Sequence, residues 1–141
     1  MPQPIAYLAF DGNCADAMHF YERALGAKLE ALLNGSESPM AAQMPPEALD
    51  RIMHARLVFE DGGVLYAGDC CNQGPPYEGI KGVSLALNYD TVAQAQRAFD
   101  ALAEGGRVTM AMQPVFWAKT WGMLVDRFGT AWIINGELIP L

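Results

Sequence analysis

An α+β fold made of two βαβββ modules is predicted for this chain by three observations. The stretch Ile5-Ala6-Tyr7-Leu8-Ala9-Phe10 leads through Asp11-Gly12-Asn13 into a helical pattern, and Val83-Ser84-Leu85-Ala86-Leu87-Asn88 leads through Tyr89-Asp90 into another. Each helix is followed by several strand-like segments, so one supersecondary unit is written twice. With 141 residues, 52% of them hydrophobic and 18% charged, the chain has material for one domain, or for two half-domains sharing a core, and is not disordered.

The first strand covers residues 5–10 and stops at Asp11-Gly12. Asn13 is placed to cap the next helix, with Asp16 near its positive end. Ala17, Phe20, Tyr21, Ala24 and Leu25 share one face at helical spacing, and Gly26 is a terminator. Residues 28–33 resume as a strand. Residues 34–50 read as a long loop with Gly35, Pro39, Pro45 and Pro46, interrupted by Met40, Met44 and Leu49; such a loop is either disordered or a lid. From His54 to Phe59 the pattern alternates, with His54, Arg56 and Val58 on one face and Ala55, Leu57 and Phe59 on the other. Asp61-Gly62-Gly63 turns the chain into a strand over 64–68. The turn-rich segment 69–82, containing Gly74-Pro75-Pro76, carries the boundary, giving modules 1–74 and 75–141 within one structural domain.

In the second module Thr91 and Gln94 have capping-box spacing at the helix start. Val92, Ala95, Ala98, Phe99 and Leu102 form the apolar face, and Gly105-Gly106 ends it. Residues 107–112 are strand-like, 113–119 a loop or short strand, and 123–126 pairs across Arg127-Phe128-Gly129-Thr130 with 131–135. One helix covers one side of each small sheet, which leaves the other face free to close around a cleft.

Nine basic against sixteen acidic residues give a net charge of -7, which opposes binding to a phosphate backbone. No apolar run approaches the ~18 residues of a membrane span, and Met1-Pro2-Gln3-Pro4 opens no signal peptide. Three cysteines form neither a disulfide framework nor a zinc spacing. Cys70-Cys71 reads as two reduced thiols in the cytoplasm. Cys14, beside a helix start, reads as a quiet buried thiol, the alternative being one of lowered pKa.

The segments Ala15-Asp16-Ala17-Met18-His19-Phe20-Tyr21, Leu25-Gly26 and Met53-His54-Ala55-Arg56-Leu57 form part of a wider pattern. So does the run Phe116-Trp117-Ala118-Lys119, Trp121-Gly122-Met123, Asp126-Arg127-Phe128-Gly129 and Trp132. Together they resemble PhnB-like proteins of the glyoxalase/bleomycin resistance/dioxygenase superfamily, also called vicinal oxygen chelate. The resemblance implies paired βαβββ modules forming an open sheet or half-barrel, often in a homodimer. For its catalytic branch it implies a divalent metal, with histidine near the start of each module's first strand and glutamate in each last strand. The corresponding stretches here, residues 5–7, 66–68, 83–84 and 132–134, contain neither. Asp69 is the nearest carboxylate, and His19 and His54 are the only imidazoles. A structural site wants about four ligands and a catalytic one about three plus water. The expectation is therefore no cofactor, with a divalent metal held by His54 and Asp69 as the alternative.

Arg56 offers a bidentate grip on a carboxylate or phosphate, or a pairing with Asp69, Glu60 or Asp126. His54 on the same face reads as a satisfied histidine or as an acid-base or ligand-orienting group. Trp117, Trp121 and Trp132, joined by Phe116, Phe128 and Met123, suit core or dimer packing; the alternative is a pocket lined by Trp117 and Trp121, to which Tyr7 and Tyr66 contribute. Lys119 among them is placed to meet an anionic ligand or solvent. The eight methionines suit an adaptable pocket and ordinary gap filling equally. No phosphate loop, nucleophile elbow or paired carboxylate is visible. The expected function is binding of a small, partly apolar molecule in the inter-module cleft. The rivals are a metal-dependent lyase, isomerase or dioxygenase-type enzyme, and a structural or regulatory homodimer.

Overall fold

A computed structural model of the chain describes residues 2–70 and 76–140. Cys71 and the expected boundary between Gly74 and Pro75 lie outside the described residues. The chain divides into two compact units, Met1–Gly79 and Ile80–Leu141. Each is a βαβββ module with a mixed four-stranded sheet.

The first unit runs β1 (Tyr7–Phe10), α1 (Cys14–Leu25), β2 (Lys28–Asn34), β3 (Ile52–Val58) and β4 (Val64–Asp69). Its sheet order is β1-β4-β3-β2, with β1 parallel to β4 and the other neighbours antiparallel. Alternation sends Leu8, Phe10, Ala55, Leu57, Leu65 and Ala67 to one face, all buried. Cys14, Ala17, Met18, Phe20 and Tyr21 are the buried residues of α1. Gly26 ends that helix in the left-handed conformation, at φ 65°, where a side chain would be strained.

The segment between β2 and β3 is built of three short 3-10 turns, Gly35–Glu37, Ala41–Gln43 and Pro46–Ala48. The first has a capping box, in which the Asn34 side chain accepts from the Glu37 N–H and the Glu37 side chain accepts from the Asn34 N–H. Backbone bonds from Gly35 to Arg51 and from Ser36 to Leu49 close its base. A Cβ on Gly35 would stand 2.6 Å from the Ala48 carbonyl oxygen, so only glycine allows that closure. The segment is thus an ordered, self-bonded loop.

The second unit repeats the plan with β5 (Leu85–Tyr89), α2 (Val92–Ala103), β6 (Arg107–Val115), β7 (Ala118–Val125) and β8 (Ala131–Leu138). The order is β5-β8-β7-β6, and β5 is parallel to β8. The Thr91/Gln94 capping box forms at the start of α2, and Ala95, Ala98, Phe99 and Leu102 are buried beneath it. The β6–β7 hairpin is longer than the sequence suggested: β7 begins at Ala118, and only Phe116 and Trp117 remain between the strands. β6 is an outer strand broken by register shifts and carrying Pro114, features that blunt a sheet edge.

Candidate functional site

In each unit the face opposite the helix is open, and the candidate residues of the first unit stand on it. Tyr7 lies opposite Tyr66, which lies opposite Arg56. His54, two residues from Arg56, shares this face, and its ring centroid is 5.0 Å from Tyr66 and 6.1 Å from Tyr7. Tyr7 and Tyr66 meet edge to face at 6.3 Å. The Tyr7 hydroxyl donates to the Met53 carbonyl at 3.1 Å. That hydroxyl lies only 2.9 Å from where a Gly68 Cβ would be, so Gly68 makes room for the ring. Arg56 is ion-paired with Glu30 rather than with Asp69, Glu60 or Asp126.

In the second unit Trp121 and Met123 face the open side, opposite Asn135 and Ile133 on β8. Trp117 packs against Trp121 at 5.6 Å and against Phe116 at 4.8 Å, both edge to face. Phe116 is 77% exposed. The Trp117 indole N–H donates to Asn135 Oδ1 at 3.1 Å, and Asn135 Nδ2 donates to Asn88 Oδ1 at 3.0 Å. The sequence did not single out these two asparagines, although a polar amide inside the apolar strand Leu85–Tyr89 was the available signal. Trp132 does not join the cluster. It faces the helix side, is 1% exposed, and donates its indole N–H to Asp126 Oδ2 at 2.8 Å.

Lys119 Nζ is 2.9 Å from Glu137 Oε1. Glu137 has φ 54°, and its carboxylate accepts the Val92 N–H at the first turn of α2. The Lys119 hydrogen bond, then the Val92 N–H, hold the Glu137 carboxyl below its ordinary value of 4.5. A lowered folded-state value gives stability that is present above the unfolded-chain value and lost as pH falls through the folded one. Wild type is therefore expected to exceed Glu137→Gln in stability at neutral pH and to lose that advantage below pH 4.5. Urea midpoints measured against pH check this; an advantage constant down to acid pH would contradict it.

The two residues of the alternative metal reading, His54 and Asp69, are not brought together. Asp69 Oδ1 accepts the N–H groups of Gly12 and Cys14, and Oδ2 that of Ile52. It stands on the helix face of β4, whereas His54 stands on the open face among tyrosines. Among the described residues no group of three or more His, Cys, Asp or Glu is placed to hold a metal ion. Asn13, at the N-cap position, makes no side-chain capping bond; Asp69 does that work from across the module. Cys14 is buried, and its thiol is pushed up to about 12 by burial first and the Asp69 carboxylate second, which makes it a poor nucleophile. At the same end, Arg51 bonds Asp11, the Cys70 carbonyl and the Cys70 thiol. No described helix is long and apolar enough to cross a membrane.

The family profile of the glyoxalase/bleomycin resistance protein/dioxygenase superfamily matches residues 5–134. The chain belongs to this superfamily. It is 34% identical over 137 residues to protein YjdN of Escherichia coli K12, covering 92% of this chain and 91% of that one. The crystal structure of protein PA1353 from Pseudomonas aeruginosa is similar at TM-score 0.88 and 48% identity, over 97% and 98% of the two chains. The PhnB protein from Bacillus cereus shares the fold at TM-score 0.74 and 20% identity, over 96% and 99%. The carboxylate at the end of β4 in this chain, Asp69, is engaged by the backbone N–H groups of Gly12, Cys14 and Ile52.

Proposed function

We propose that the protein binds a small, partly apolar molecule on the open aromatic faces of its sheets, without a divalent metal. One observation carries this reading: Tyr7, His54 and Tyr66 in one module, and Trp117 and Trp121 in the other, stand on the side the helix does not cover. Large rings there offer apolar area and flat contact that the core does not use. Met123 adds an adaptable thioether beside them. Arg56 and Lys119 are neutralised by Glu30 and Glu137, so apolar contact and neutral hydrogen bonds do most of the holding. Sequestering such a molecule needs no catalytic group.

The test uses 15N-labelled protein titrated with acetophenone, a small aryl ketone, first with EDTA and then with excess Zn2+. Saturable movement of the Trp117 and Trp121 indole N–H signals is expected in both, with the buried Trp132 signal stationary. No saturable movement, or movement only with Zn2+, would sink the reading.

A further inference from the structure

The open face of the second unit carries a hydrogen-bond relay whose direction is fixed by chemistry. An indole N–H is donor only, so the Asn135 atom 3.1 Å from Trp117 Nε1 is its carbonyl oxygen. The Asn135 amide nitrogen then points to Asn88, and the Asn88 atom that receives it at 3.0 Å is again the oxygen. Amide orientation is usually inferred from partners; here one donor-only group sets both. The relay ends on the Asn88 amide nitrogen, which has no partner among the described residues, on an exposed side chain. Asn88, Asn135 and Trp121 occupy one row across β5, β8 and β7. The next row on the same face is Ala86, Ile133 and Met123, apolar throughout and roughly 7 Å away, the span of an aryl ring.

Resting on the ligand-binding reading above, we propose that this face selects a neutral aryl carbonyl compound: the ring lies over the apolar row and the carbonyl oxygen accepts from Asn88 Nδ2. The neutral class follows from charge. The cation of this face next to the tryptophans, Lys119, is matched by Glu137, and the chain carries net charge -7, so an anionic ligand gains no free counter-charge here. A donor-terminated neutral relay fits a carbonyl acceptor and leaves a hydroxyl-free hydrocarbon without a bond.

Three probes of one size separate the possibilities: acetophenone, ethylbenzene and benzoate, each titrated by the same indole and side-chain amide signals. Acetophenone is expected to bind about three- to tenfold tighter than ethylbenzene, the range of one net hydrogen bond, and tighter than benzoate. It is also expected to move the Asn88 side-chain amide signal. Asn88→Asp keeps the oxygen that accepts from Asn135 and replaces the free N–H groups by an anionic oxygen. That variant is expected to lose the acetophenone preference while ethylbenzene affinity holds. Equal affinities for acetophenone and ethylbenzene, a preference that survives in Asn88→Asp, or tighter binding of benzoate would each overturn the inference and leave the ligand-binding reading standing. Failure of acetophenone to bind at all sinks both.

Discussion

Asp126→Ala is expected to cost about 3–5 kcal/mol of stability, because it leaves buried donors without an acceptor. Asp126 is 3% exposed. Its Oδ1 accepts from the N–H groups of Phe128 and Thr130, and its Oδ2 accepts the Trp132 indole N–H. The first two bonds shape the turn from β7 into β8, and the third fixes the largest fully buried side chain among the described residues. Asp126→Asn keeps one acceptor for the turn but turns an amide nitrogen toward a donor-only indole, and is expected to cost about 2 kcal/mol. Trp132→Phe is expected to cost less in Asp126→Asn than in the wild type, because it removes the donor that faces the amide nitrogen, giving a coupling energy in a double-mutant cycle. Urea unfolding followed by far-ultraviolet dichroism measures the wild type, Asp126→Ala, and the Asp126→Asn, Trp132→Phe and double variants of the cycle. A cost below about 1 kcal/mol for Asp126→Ala would show that the turn does not depend on this carboxylate.

This assigns the Asp126-Arg127-Phe128-Gly129 run a structural role. Gly129 takes φ 92°, a left-handed turn position suited to glycine. Arg127 reaches back to the Glu104 carbonyl and carboxylate at the end of α2, where a cation complements the helix dipole. The sequence made this run a recognisable marker without saying what it does. Its chemistry is that of a turn holding a strand pair and a helix end in place.

The module plan was legible because it depends on local periodicity. The alternation of His54 to Leu57 and the spacing of Ala95, Phe99 and Leu102 report burial directly. The sequence reading put Trp117 and Trp121, and not Trp132, in its pocket; the strand parity behind that division depends on where β7 begins. With β7 running from Ala118, Trp121 and Met123 share the open face, while Gly122 and Leu124 turn to the helix. On β8 the same alternation sends Trp132 and Ile134 inward and Ile133 outward. A strand read as starting at residue 123 hides that parity. Glu137 is a second case: its left-handed backbone lets its carboxylate serve both Lys119 and the Val92 N–H, which alternation alone does not foretell. Arg56 found Glu30 on the neighbouring strand, a choice set by the β2–β3 register with its bulge and invisible without it.

Asp69 is the residue whose role was least legible, since its partners Gly12, Cys14 and Ile52 are distant in sequence. Asp69→Ala is expected to destabilise the protein by about 3–5 kcal/mol, through loss of a helix cap and of the bond to the first residue of β3. Asp69→Asn retains an acceptor oxygen but places a donor nitrogen against at least one backbone N–H, and is expected to lose about 1–3 kcal/mol. The measurement separates a cap from a metal ligand. If the carboxylate holds backbone, the loss is the same in EDTA and in excess Zn2+, and the wild type gains nothing from the ion. If it were a ligand, the wild type would be stabilised by Zn2+ through mass action and the variant would not. An Asp69→Ala penalty that appears only with the ion present would return the metal-dependent reading to the first module. A penalty of equal size in both conditions leaves that carboxylate fully occupied by the fold, with the open aromatic faces as the chemistry that remains.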